Sequence, residues 1–131
     1  MRPASSQSGF TLIEIMVVVF ILGLLAAMVV PNVIGSSDKA RVQRAKADIR
    51  AIEEAVNLFK LENGFYPQSM EVLVGPSKSN PDGYLKKVPK DPWDREYAYR
   101  TDGRRFVIKS LGADGTDGGD GFNADIDSDS L

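Results

Sequence analysis

At 131 residues and a net charge of −2, the chain has room for one membrane-length segment and one small soluble domain, and its balance of charge argues against a general nucleic-acid binder. It contains neither cysteine nor histidine, which removes disulfides, thiol nucleophiles, the commonest general base and the commonest transition-metal ligand. A catalyst built from it would have to run on Asp, Glu, Lys or Tyr, so the expectation is a structural protein and not an enzyme.

Met1 to Gly9 is short and polar, with Arg2 as its one basic side chain. Phe10-Thr11-Leu12-Ile13-Glu14 follows, and then Ile15 to Val30, an apolar run interrupted only by Gly23. As a helix, Phe10 to Val30 spans about 31 Å, close to a hydrocarbon core of about 30 Å. Glu14 stands out in that run, because an acid near the bilayer interior costs roughly 2.5–3.5 kcal/mol and normally has a partner. An ordinary secretory signal is cut behind its apolar stretch, and Leu25-Ala26-Ala27 can be forced into that role. Such a cut discards both Glu14 and the anchor. A cut after Gly9 keeps both and is preferred.

Gly9-Phe10-Thr11-Leu12-Ile13-Glu14, with the apolar run behind it, resembles the processing site of type IV pilins and pseudopilins. The resemblance implies that a membrane prepilin peptidase cuts after Gly9 and N-methylates Phe10. Cleavage frees an α-amine that is positive below pH about 8. The amine of one subunit and Glu14 of its neighbour then relieve each other's desolvation, and a slip along the helix axis leaves both unpaired. Glu14 is therefore assigned to assembly; the alternative is a plain single-pass anchor with a stray acid. Pro31 lacks an N–H and clashes with the carbonyl of Ala27, so a kink is expected there, with Gly23 a second weak point. In related filaments such a stretch can unwind on assembly, which the resemblance extends to Gly23–Pro31.

After Ser36-Ser37, read as an N-terminal capping pair, the pattern turns amphipathic. Val42, Ala45, Ile49, Ile52, Val56 and Phe59 recur at alternating spacings of three and four. They form one apolar stripe flanked by charge. The spacing also suits a coiled coil, but it covers fewer than four heptads and strands follow, so packing on a sheet of the same chain is expected. Asn63-Gly64 ends the helix. Lys39, Arg41, Arg44 and Lys46 outnumber the single Arg2 of the leader, and by the positive-inside rule they would place the domain in the cytoplasm. The resemblance implies the opposite orientation and is followed; the basic patch is then left to meet acidic groups on neighbouring subunits.

Beyond Gly64 the chain is rich in Pro, Ser, Gly and Asn, with Met70–Val74 read as a short helical turn and Tyr84–Val88 as a brief strand. Asp91-Pro92-Trp93-Asp94 reads as a turn whose Trp93 packs the base of the sheet. Glu96–Arg100 and Arg105–Ser110 alternate as strands, joined as a hairpin by Thr101-Asp102-Gly103-Arg104. Tyr97, Tyr99 and Phe106 are assigned to core or sheet surface. Asn63-Gly64-Phe65-Tyr66-Pro67, Asp91-Pro92-Trp93 and Ser110-Leu111-Gly112-Ala113-Asp114-Gly115 resemble landmarks of one subgroup, the major pseudopilins of bacterial type II secretion.

Ser110 to Leu131 holds six aspartates, five glycines and no basic residue. Composition leaves two options: a solvated acidic tail, or a loop whose carboxylates and carbonyls wrap a hard cation. The spacing of Asp114, Asp117 and Asp120 does not fit an EF-hand, and a single glycine-rich repeat cannot build a β-helix. The resemblance implies structural calcium, held by the side chains of Asp114 and Asp125 and the carbonyls of Leu111 and Thr116. Where many relatives have two adjacent acids this chain has Ala124-Asp125, which leaves one ligand to water or another residue. Asp127 to Leu131 departs from the family pattern and is expected to be disordered.

The expected fold is α+β and pilin-like, a long N-terminal helix packed on a small antiparallel sheet. The segments are a cleaved leader (1–9), a transmembrane and assembly helix (10–34), an amphipathic helix (35–63), and a loop, sheet and acidic calcium loop (64–131). The resemblance implies a major pseudopilin, anchored once in the bacterial inner membrane with its domain in the periplasm. Its implied partners are further copies of itself, minor pseudopilins, the prepilin peptidase and an inner-membrane assembly platform. The alternative function is a surface type IV pilus subunit for adhesion, motility or DNA uptake.

Overall fold

The computed structural model describes residues 8–131, and the side chains of all of these except 29–34. Helix α1 runs from Leu12 to Asn63, and the chain forms two compact units, Met1–Ser37 and Asp38–Leu131.

In the first unit the described apolar side chains are solvent-exposed, from Phe10 at 85% to Met28 at 73%. Among the described residues no helix is long and apolar enough to cross a membrane. The leader up to Gln7 and the side chain of Pro31, where a kink is expected, lie outside the described residues. Ser36 and Ser37 start no helix: both lie inside α1. A capping hydroxyl serves the free N–H groups of a helix's first turn, and a chain that arrives already helical has none to offer at this point.

In the second unit the apolar stripe of α1 builds the core. Ala45, Ile49, Ile52, Val56 and Phe59 are buried, Val42 is half-buried, and Ala55 joins them one position beyond the expected stripe. Each aliphatic side chain the size of Ile49 or Ile52 contributes roughly 1.5–3 kcal/mol by leaving water. Met70 and Leu73, from a 3-10 helix over Met70–Leu73, close one side of this stripe. Ile108 and Ile126 close it from the sheet, and Tyr97 from the position just before the first strand. Trp93 packs against the same cluster, as expected of the turn residue. The helix ends where it is expected to: Gly64 adopts φ +83°, its N–H donates to the Lys60 carbonyl at 2.7 Å, and Asn63 Nδ2 donates to the Phe59 carbonyl at 2.9 Å.

The sheet has three antiparallel strands in the order β1 (Ala98–Thr101), β2 (Phe106–Ser110), β3 (Ile126–Asp127). Thr101 faces Phe106 at the hairpin end, and Ser110 faces Ile126 at the other. Asp102 closes the hairpin turn, its Oδ1 accepting from the N–H groups of Arg104 at 2.8 Å and Arg105 at 2.7 Å. Those donors hold its carboxyl below the usual range.

Two expectations are corrected. Tyr84–Val88 is not a strand: the N–H groups of both Tyr84 and Leu85 converge on the Leu73 carbonyl, at 2.9 and 3.0 Å, which no strand ladder allows. Nor is the C-terminus disordered. Ile126 is drawn into the core, Asp127 completes β3, and Ser128–Ser130 forms a 3-10 turn capped by Asp127. The Ser128 hydroxyl accepts from the N–H of Ile108 at 3.1 Å, which ties this turn to β2.

Candidate functional site

The N-terminal junction is an exposed, non-helical segment set directly ahead of α1. Gly9, Phe10 and Thr11 precede the first helical residue, Leu12, and a Cβ built on Gly9 would meet nothing within 4 Å. The Gly9–Phe10 bond is therefore exposed and lies outside the helix. Glu14 lies in the first turn of α1, and its N–H donates to Thr11 Oγ1 at 3.3 Å. Thr11 is thus an N-cap, one arm of a capping box. Thr11-Leu12-Ile13-Glu14 carries that signature, and the expected function of Glu14 masked it. A carboxylate here also faces the positive end of the helix dipole. Among the described residues Glu14 pairs with no cation.

The C-terminal loop is held from beneath by the turn before β1. Asp91 is 4% exposed, and its Oδ1 accepts from the N–H groups of Trp93 at 3.0 Å and Arg95 at 2.8 Å. Its Oδ2 accepts from the buried hydroxyl of Ser110 at 2.9 Å. This network orients Arg95, whose guanidinium donates to the carbonyls of Gly112 at 2.8 Å and Ala113 at 3.3 Å. The loop fits so closely over the guanidinium that a Cβ at Gly115 would lie 2.5 Å from Arg95 Cζ. Gly115 at φ +67° is therefore favoured as glycine, since a side chain there would be strained and would push the Arg95 guanidinium aside. Asp91 and Ser110 stand in the landmark motifs, but their link to each other, and Arg95 as the residue that reaches the loop, are not found by pattern reading, because nothing in the spacing of 91, 95 and 110 joins them.

The loop closes on itself. Ala113 N–H donates to the Phe122 carbonyl at 3.0 Å, and Gly118 N–H donates to Asp125 Oδ2 at 2.9 Å. Asp114 Oδ1 accepts from the N–H of Thr116 at 3.1 Å. The four residues expected to hold calcium are thus all on this loop: Leu111 and Asp125 half-buried, Asp114 and Thr116 exposed. Among the described residues no group of three or more acids gathers where it could hold a metal ion. Asp125 Oδ1 is nevertheless buried without a hydrogen-bond partner. Lys109, on β2, reaches into the loop: its ammonium bonds Asp117 Oδ1 and lies 2.7 Å from Asp125 Oδ2. That ammonium, and then the Gly118 N–H, hold the Asp125 carboxyl below the usual range. Lys109 is a further residue that alternation along β2 does not single out.

Elsewhere, Tyr97 joins the sheet to α1 by donating to Asp48 Oδ2 at 3.0 Å. Burial, reinforced by the Asp48 carboxylate, pushes the Tyr97 hydroxyl well above the usual tyrosine range.

Comparison with known proteins assigns both ends of the chain. Residues 32–129 match the family described as type II secretion system protein G, and residues 4–30 match the prokaryotic N-terminal methylation motif. The chain is 52% identical to type II secretion system core protein G of Pseudomonas aeruginosa, covering 92% of this chain and 93% of that one. It is 46% identical to the core protein G of Vibrio cholerae, covering 96% and 94%, and 42% identical to that of Escherichia coli K12, covering 96% and 93%. Its structure resembles the major pseudopilin from the type 2 secretion system of enterohaemorrhagic Escherichia coli, with a TM-score of 0.60, 31% identity, and coverage of 77% of this chain and 96% of that one.

Proposed function

The chain belongs to the type II secretion system protein G family, and on that premise we propose how its residues serve a pseudopilus. It is a major pseudopilin, a structural subunit of the secretion system. The observation that carries the reading is the Gly9–Phe10 bond, exposed and outside the helix immediately ahead of α1, within a matched methylation motif. A prepilin peptidase cuts that bond and methylates Phe10. The apolar run from Phe10 to Val30 anchors the subunit in the inner membrane, with the second unit in the periplasm. The capped first turn presents Glu14 to the new α-amine of a neighbouring copy, and the pair sets the stagger between subunits as the assembly platform adds them to the filament. Minor pseudopilins join the same filament.

The C-terminal loop takes up calcium. Support comes from Asp125 Oδ1, a buried oxygen with no donor, and from the positive-φ glycines 112, 115, 118, 119 and 121, which free backbone carbonyls to turn toward an ion. Leu111 and Thr116 would add carbonyl oxygens and Asp114 and Asp125 carboxylates, which is hard-oxygen chemistry suited to calcium. Bound calcium would supply charge neutralisation and cross-linking of the loop.

The test is a deletion strain. Export of secreted proteins should stop and return with the wild-type gene but not with Gly9→Ala, whose product should keep its leader when sequenced from the N-terminus. Normal export from the uncut protein would overturn the role given to cleavage, and loss of motility with export intact would move the assignment to a surface pilus subunit.

A further inference from the structure

Lys109 of β2 stands directly opposite Asp127 of β3 in the antiparallel ladder, the separation at which opposite charges normally pair. Its ammonium goes elsewhere, to Asp117 and Asp125. The carboxylate it meets at 2.7 Å, Asp125, is 13% exposed, and its other oxygen is the buried one without a donor. A divalent cation on Asp125 would sit within a few ångströms of that ammonium, and the two would repel strongly. The ammonium has somewhere to go. A groove of about 570 Å³, lined among others by Lys109, Asp117 and Asp127, opens beside it. Asp127 uses Oδ1 to accept from the N–H of Ser130 at 2.9 Å, which leaves its second oxygen facing no hydrogen-bond donor among the described contacts.

We propose that Lys109 is the resident counter-ion of the C-terminal loop, and that calcium enters by displacing its ammonium from Asp125 onto Asp127, an exchange that presupposes the calcium loop proposed above. With calcium scarce, the internal cation neutralises Asp117 and Asp125 and keeps the loop closed. With calcium abundant, the ion takes that role and Lys109 pairs across the ladder. The loop's affinity is thus set by a residue that is not a ligand.

Calorimetric titration of calcium into the full chain in detergent micelles tests the exchange. Lys109→Met should bind calcium on the order of tenfold more tightly than wild type, because no like charge is left to displace. Lys109→Arg should resemble wild type. Asp127→Asn should weaken binding in the wild-type background and change nothing in the Lys109→Met background, since its effect is routed through the ammonium. Equal affinity of wild type and Lys109→Met overturns the exchange, as does an Asp127→Asn effect of the same size in both backgrounds. Absence of binding in every variant, Lys109→Met included, sinks the calcium reading itself and the exchange with it. Binding by Lys109→Met alone supports both.

Discussion

Ser110 donates its hydroxyl to Asp91 Oδ2 across 2.9 Å, with Ser110 fully buried and Asp91 4% exposed. Through this contact the turn before β1 and the end of β2 are locked together, and Arg95 is aimed at the loop that follows. Asp91→Ala should therefore lower stability by about 3 kcal/mol, since it leaves two N–H groups and a hydroxyl without their acceptor. Ser110→Ala removes one donor and should cost about 1–2 kcal/mol. Thermal melts of the full chain in micelles check both, and an Asp91→Ala protein as stable as wild type would show that the network is ornamental.

Calcium should add to stability as any ligand that binds only the folded state does. Chelation is expected to lower the melting temperature by roughly 4–8 °C, about what 1 kcal/mol yields in a domain of this size. Asp114→Ala and Asp125→Ala should reproduce the drop and blunt any further response to chelator. If chelator acts equally on wild type and Asp125→Ala, the ion does not bind at this loop.

Glu14→Gln should leave membrane insertion and removal of the leader intact while abolishing filaments. The amide keeps the shape of the side chain and removes the charge proposed to pair with the Phe10 amine. Electron microscopy of cells overexpressing the variant gives the answer, and abundant filaments of normal appearance would dismiss the pairing. Thr11→Val is the control for helix capping: it should lose about 1 kcal/mol of local helix stability without blocking assembly.

Tyr97 predicts a loss of stability in alkali. Its folded pKa lies above the unfolded value of about 10, because burial and Asp48 disfavour the phenolate. The neutral hydroxyl's contribution is then whole below pH about 10 and is lost as pH rises through the folded value. Melting temperature should fall from pH 9 to 11 in the wild type and fall less in Tyr97→Phe. Burial also raises Tyr99, so a residual slope is expected in the variant. Parallel curves for the two proteins would rule out Tyr97 as the source.

How much of this was legible beforehand depends on the range of the interaction involved. The stripe from Val42 to Phe59, the stop at Asn63-Gly64, the hairpin around Gly103 and the junction at Gly9 all depend on residues within a few positions of one another. Periodicity, a left-handed glycine and a motif report such things directly. Tyr84–Val88 misled because a short segment ahead of a proline does not say whether a partner strand exists, and here the Leu73 carbonyl takes the N–H groups of Tyr84 and Leu85. The last five residues misled for the converse reason: polar composition reads as disorder, while Ile126 in the core and Ser128 on β2 supply the contacts that order them.

By itself the amino-acid order determined that the N-terminus carries a methylation motif, which face of α1 is apolar, and that the segment after β2 is acidic and glycine-rich. Only tertiary structure decided that Asp91, Arg95 and Ser110 support that loop from another part of the chain, and that Lys109 reaches its carboxylates. Backbone periodicity is a local property, imposed by steric limits repeated residue after residue. Which charge ends beside which carboxylate is settled only after burial of the core has set the strand register, and no short window of residues contains that information.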